Sequence, residues 1–227
     1  MEKNSIPRAL YIVYWGAAEP LGQSLVLPAV KKLADLGADL TLVTFEKPSD
    51  LDRGEQICRI RHSLDERGVR WIPLRYHKRP KVPATFFDSL QGCATGIAAR
   101  LGKRPDIIHA RTFVGGLMGY ALARALRAKL IYHNEGFYPD EQVDGGVWKA
   151  GSAPHRAARF LERRMYERAD GIIALSQRAA EVIEALPNVN RKATPVIVVP
   201  SCVDLGRFCR DGAATQPPSD ELRLVYT

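Results

Sequence analysis

The sequence has 227 residues, 46% apolar and 26% charged, with a formal net charge of +8. That balance suits one sizeable globular domain, or a domain with the edge of a second, and excludes a disordered chain. No apolar run reaches the roughly 18 residues that span a bilayer, and the start, MEKNSIPRAL, lacks the regions of a signal peptide, so a cytoplasmic protein is expected.

Apolar runs then alternate with helical patterns. Residues 9–14 (ALYIVY) read as a strand buried on both faces, and 38–45 (ADLTLVTF) as a second. Between them, QSLVLPAVKKLADLG puts Val26, Ala29, Val30, Leu33 and Leu36 on one helical face, with a kink at Pro28 and a stop at Gly37. Further strands are predicted at 69–74, 105–110, 128–133, 171–176 and 195–200, and helices over 84–101, 114–127, 154–168 and 177–186. In the helix over 154–168, Ala157, Phe160, Leu161 and Met165 form the packing face. Strands alternating with helices of this length predict an α/β fold, a doubly wound Rossmann-like parallel sheet covered on both faces.

The excess charge is concentrated. Residues 59–81 hold eight Lys/Arg against Asp65 and Glu66, which reads as a solvated basic face or as the partner of an anion. Within RYHKRPKVPATFF, Arg75, Lys78, Arg79 and Lys81 interleave with aromatic residues as in an interfacial segment, so an anionic surface is expected rather than nucleic acid. Cys58, Cys93, Cys202 and Cys209 make no CxxC pair and have no His at zinc-ligand spacing, so no metal is expected.

In a doubly wound sheet, ligands bind beyond the carboxyl ends of the strands. In the first such loop, Gly16 and Gly22 match neither GxGxxG nor GxxxxGK[ST], so no NAD or ATP cofactor is expected even though Glu46 resembles an acidic ribose ligand. The loop is either a phosphate-receiving helix N-terminus or a plain turn. His109 and Arg111, two apart at a strand end, share one side of the extended backbone, and Gly115, Gly116 and Gly119 let the next helix approach closely. YHNEGFYPDEQVDGGVW crowds His133, Glu135, Asp140 and Glu141 with Phe137, Tyr138 and Trp148, either as a functional loop or as an aromatic surface cover.

Taken in order, these motifs resemble the group 1 glycosyltransferases, retaining enzymes of the GT-B fold with two Rossmann-like domains facing a cleft. The likeness runs from about Ala9 to Phe208 and includes the first glycine-containing loop, PDIIHARTFVGG, ERADGIIALS and VIVVPSCVDLGRF, the last similar to the family's Pro-x-x-Val-Asp-x-x-x-Phe signature. It implies that 1–210 form the N-terminal, acceptor-side domain, 211–221 an interdomain linker, and 222–227 (LRLVYT) the first strand of a donor-binding domain the chain lacks, leaving this fragment inactive alone. The implied partners are a nucleotide-sugar donor, held through that second domain, and a glycan or lipid-linked acceptor of polysaccharide biosynthesis. Peripheral contact with the inner face of an anionic membrane is also implied.

The resemblance makes His133 the catalytic candidate, since many members carry a His there, and places Gly16, Gly22, His109, Arg111, Glu135, Asp140 and Glu141 along the donor/acceptor cleft. Arg75, Lys78, Arg79 and Lys81 would contact the anionic surface. Arg111 stands where many relatives have a second His, and Cys202 where Gly is commoner. Two alternatives are half of a sugar-nucleotide epimerase of the same architecture and a non-catalytic binding module.

Overall fold

The computed structural model describes residues 6–99, 104–187, 189 and 194–201. The linker and strand expected at 211–227, and the signature residues from Cys202 onward, lie outside the described residues.

Seven strands form one parallel sheet: β1 (Arg8–Val13), β2 (Asp39–Glu46), β3 (Arg70–Arg75), β4 (Ile107–Arg111), β5 (Lys129–His133), β6 (Gly171–Ala174) and β7 (Val196–Val198). Their order is β3-β2-β1-β4-β5-β6-β7, so chain direction across the sheet reverses between β1 and β4 and opens a crevice there. Tyr11 pairs with His109, Val13 with Arg111, and Arg111 with His133. Partners in a parallel ladder share a face, so these five side chains lie on one side of the sheet.

The other side carries the larger core, in which Leu10, Ile12, Phe45, Ile108, Met118, Leu122, Tyr132 and Met165 are buried. It lies beneath α4 (Lys81–Ala98), α5 (Phe113–Leu126), α7 (Ala153–Arg168) and α8 (Gln177–Glu184). Glycine lets α5 settle onto the strands: a Cβ on Gly119 would stand 2.2 Å from the Ala110 Cβ, and one on Gly116 2.5 Å from the Tyr132 ring. The first side is covered by α1 (Leu27–Asp35) and α3 (Gly54–Asp65), whose Val30, Ile60 and Leu64 join Tyr11, Val13, Leu40, Leu42 and Trp71 in a second core.

Several details differ from the sequence reading. The helix around Pro28 begins with a π-helical turn, Gly22–Val26, that the sequence reading did not foresee, and Pro28 stands in the first turn of the α-helix that follows. Proline has no N–H to donate, and the Leu27 N–H reaches back five residues to the Gly22 carbonyl. Leu36, expected on the packing face, is exposed. In α7 the inward residues are Ala158, Glu162, Met165 and Tyr166, whereas Phe160 is 56% exposed. Contact of Met165 and Tyr166 with Gly116 and Tyr132 fixes that rotation and carries Glu162 inside, where burial pushes its carboxyl up to about 8. The long connection after β5 contains a helix, α6 (Tyr138–Asp144), and a one-turn helix, α2 (Pro48–Leu51), follows β2.

The basic stretch 59–81 is not one surface. Its first part lies on α3, where Arg61 stands over the Trp71 ring and Arg67 pairs with Asp35, while its last part leads into α4 on the opposite layer.

Close helix–sheet contact at Gly119 makes a specific demand. Gly119→Ala is expected to lower stability by about 1–3 kcal/mol through overpacking. Gly171→Ala, whose Cβ would meet nothing within 4 Å, should leave it nearly unchanged, and thermal melting of the two variants checks the contrast.

Candidate functional site

The site is built at the carboxyl ends of β1, β4 and β5. The loop after β1 is held by Glu46, which is fully buried at the end of β2. Its carboxylate accepts hydrogen bonds from the Ala17 and Ala18 N–H groups at 2.7 and 3.1 Å and from the Thr44 hydroxyl at 2.5 Å, and Trp71 Nε1 donates to that hydroxyl at 2.9 Å. Burial raises the Glu46 carboxyl against the bonds that favour its anion.

Two amides that the sequence offered to a phosphate are therefore engaged by a protein carboxylate. The glycines serve the same packing: a Cβ on Gly16 would stand 2.6 Å from Glu46 Oε2, and one on Gly22 1.9 Å from the Gly16 carbonyl oxygen. Glu46 is a loop anchor and not a ribose ligand.

The ends of β4 and β5 carry a buried polar cluster. Arg111 Nε pairs with Glu135 Oε1, and Nη1 donates to the Leu25 carbonyl at 3.2 Å. His109 stacks on Tyr11 with ring centroids 4.2 Å apart, and its Nε2 lies 3.4 Å from His133 Nδ1. His133 Nε2 is buried without a hydrogen-bond partner. Burial, then the Arg111 charge, pushes the His109 imidazole down to about 3. Burial, then Arg111 and His109, pushes His133 down to about 2. Both directions favour the neutral ring, and of the two only His133 lines a cavity, where it offers a hydrogen-bonding nitrogen.

Two cavities flank this cluster. The larger, about 500 Å³, is walled by Tyr14, Trp15, Tyr76, Phe113 and Tyr138, with Lys81, Thr85, Thr112, Glu135, Glu141 and Gln142 supplying polar groups. Phe113 and Tyr138 stack at 4.7 Å, and the Asn134 side-chain oxygen accepts from the Gly136 N–H to shape the turn that carries Glu135. The smaller, about 270 Å³, lies under α1 and is lined by Arg111 and His133 together with Ser24, Lys32 and Val199. Leu25, Leu175 and Ser201 border both, and the Arg111–Glu135 pair spans the partition.

Of the residues singled out from sequence, the structure thus brings His109, Arg111, His133 and Glu135 together and sets Glu141 in the larger cavity. Gly16 and Gly22 line neither cavity. Asp140 turns to α7, where Arg159 and His155 bond its carboxylate at 2.7 and 3.3 Å. Sequence reasoning missed Tyr14, Trp15, Tyr76, Thr85 and Thr112. The first two directly follow the first strand, a usable signal, but Thr112 has none: it caps α5 with φ of 70°, a strained value for a β-branched residue at the cavity wall.

Arg75, Lys78, Arg79 and Lys81 are exposed where β3 leads into α4, and none forms an ion pair among the described residues. The same helix exposes Val82, Phe86, Phe87, Leu90 and Ile97. No described helix is long and apolar enough to cross a membrane, and no described group of His, Cys, Asp and Glu is placed to hold a metal.

Burial of two neutral histidines makes stability depend on pH. Their folded values lie below the unfolded value of about 6.5, so the unfolded chain takes up protons first. Stability is complete above about pH 6.5 and falls as pH drops from there toward 3. The melting temperature should follow that course, and His133→Gln should make the decline shallower. An unchanged slope would mean that His133 is charged in the folded state.

A family model, the glycosyl transferase 4-like domain, matches residues 24–202. No curated protein sequence matches the chain. Among solved structures it is similar to sucrose-phosphate synthase from Thermosynechococcus elongatus, with a TM-score of 0.59 and 15% identity over 88% of this chain and 49% of that one. It is similar to HepE from Anabaena in complex with UDP and glucose, with a TM-score of 0.51 and 15% identity over 88% and 46%. A Listeria monocytogenes protein described as a UDP-N-acetylglucosamine 2-epimerase has a TM-score of 0.54 and 14% identity over 84% and 44%. The chain spans about half the length of these structures, and at such identities the likeness is one of fold. The family match covers most of the chain, which belongs to the glycosyl transferase 4-like domain family and has the fold of one Rossmann-like half of a GT-B glycosyltransferase.

Proposed function

We propose that the chain is the acceptor-side domain of a retaining, nucleotide-sugar-dependent glycosyltransferase. The observation that carries this reading is the larger cavity at the strand ends, where five aromatic side chains face carboxylate, hydroxyl and amide groups. Such a wall suits a glycan: rings cover the apolar face of a sugar while polar groups bond its hydroxyls. The neighbour HepE is in complex with UDP and glucose, which supports a nucleotide-sugar donor. In this reading the donor is held mainly by a second Rossmann-like domain, and the small cavity under α1 receives its sugar, with His133 Nε2 as the hydrogen-bonding group.

The assignment has two tests. Calorimetry on this chain should find UDP- or GDP-sugars bound only weakly, whereas micromolar affinity would overturn the division of labour between two domains. In a protein containing both domains, His133→Ala should lower kcat by about 10²–10³, the worth of one well-placed hydrogen bond in a closed site. Wild-type turnover would leave His133 a structural strand-end residue.

We further infer that the β3–α4 corner rests on an anionic lipid surface, because four unpaired cations adjoin the exposed apolar stripe of α4. Sedimentation with anionic liposomes at low salt should exceed that with neutral ones. Equal sedimentation would return the corner to a solvated face.

A further inference from the structure

One buried carboxylate touches the wall of the larger cavity without lining it. Asp88, on α4, is fully buried and has no lysine or arginine against it among the described residues. Hydrogen bonds offset its burial instead. Its Oδ2 accepts from Tyr14 Oη at 2.8 Å and from the His77 backbone N–H at 3.0 Å, and its Oδ1 lies 2.6 Å from His77 Nδ1. A carboxylate can only accept, so the Tyr14 hydroxyl donates to it. Burial, and then the bond to Asp88, push the Tyr14 phenol above its ordinary range, which keeps that proton in place.

Tyr14 directly follows β1 and lines the cavity. Its ring meets Phe45 edge-on with centroids 4.8 Å apart and Tyr76 at 5.5 Å, and its hydroxyl is tied to α4. Tyr76, beside His77, lines the same cavity, as do Lys81 and Thr85 from the start of α4. Asp88 therefore joins the end of β1, the connection after β3 and α4, which together form this part of the wall. Tyr76 and Tyr138, the other phenols of the wall, have no hydrogen bond at their hydroxyls among the described residues.

We propose that Asp88 is a positioning residue for the acceptor: by holding Tyr14 Oη against α4, it fixes the ring on which an acceptor sugar stacks. This rests on the acceptor-side reading. A binding side chain is effective when packing and a supporting hydrogen bond lock its rotamer. Phe45 and Tyr76 confine the Tyr14 ring, and the bond at Oη, at the far end of the side chain, sets its direction. The same bond keeps the first turns of α4, with Lys81 and Thr85, at a fixed distance from that ring. Asp88 touches no sugar itself and acts through Tyr14.

The test titrates this chain with the methyl glycosides of glucose, galactose, mannose and N-acetylglucosamine, followed by tryptophan fluorescence, since Trp15 lies in the same wall. Asp88→Leu should weaken the Kd of whichever glycoside binds by about tenfold, in keeping with the loss of one hydrogen bond to a charged group. Tyr14→Phe keeps the ring and loses the bond, and should weaken it by a similar factor. The double variant should then be no weaker than either alone, because both changes remove one interaction. Asp88→Asn retains an oxygen for Tyr14 Oη and should bind like the unmodified chain. Melting temperatures show which variants are folded, and Tyr14→Phe decides the matter if Asp88→Leu is not.

Unchanged affinity in a folded Tyr14→Phe, losses that add in the double variant, or Asp88→Asn binding as weakly as Asp88→Leu would each overturn the proposal and leave the acceptor-side reading standing. Binding of none of these glycosides by the unmodified chain overturns both.

Discussion

The buried carboxylate of Glu46 is the contact from which the site is assembled. An isolated charge in that position is costly, and three short hydrogen bonds offset the loss of water. Two of those bonds come from the loop after β1, so the loop is tied to β2, and through Thr44 and Trp71 to β3. With the loop drawn down, Gly22 passes against the Gly16 carbonyl and the chain turns into a π-helical turn that sets Leu25 over the strand ends. The Leu25 carbonyl then accepts from Arg111, and Leu25 itself borders both cavities. One internal anion thus positions the roof of the site, occupying amides that a nucleotide-binding loop would leave for phosphate.

The Arg111–Glu135 pair sets the chemistry on either side of the partition. A buried ion pair adds little net stability compared with apolar packing, but breaking it by removing one partner leaves an uncompensated charge. The pair is therefore better understood as fixing where β4 and the connection after β5 meet. Burial, and then its cation, disfavour protonation of the two adjacent histidines, so the small cavity offers a neutral ring at His133. His133 is a hydrogen-bonding group in that environment.

The sheet was legible in the sequence because each strand is a short apolar run bounded by turn residues, and every strand predicted within the described residues appears within a few residues of its expected limits. Pairing of His109 and Arg111 on one face followed from their spacing alone. The rotation of α7 was not legible. It depends on Gly116 and Tyr132, residues of other elements, and these override the apolar pattern that pointed to Phe160 and Leu161. Glu46 could not be assigned either, because a strand-end acid looks the same whether it meets a ribose or the amides of a neighbouring loop. The His77–Asp88 contact joins residues on a loop and a helix, and only the fold sets the ring against the carboxylate.

Lys81 connects the two surfaces proposed for this domain. It opens α4, whose next residues carry the exposed apolar stripe beginning at Val82, and it also lines the larger cavity. In the proposed reading, a helix lying on a lipid surface through Val82, Phe86 and Leu90 would hold Lys81, and with it one wall of the cavity, beside the headgroups. An acceptor anchored in the bilayer would reach Tyr76 and Thr85 without leaving it, and the cation at the junction would meet its phosphate first. In the proposed reading, the basic residues around the β3–α4 corner would draw the acceptor's anchor and the aromatic wall, which includes Tyr76 inside that stretch, would hold its sugar.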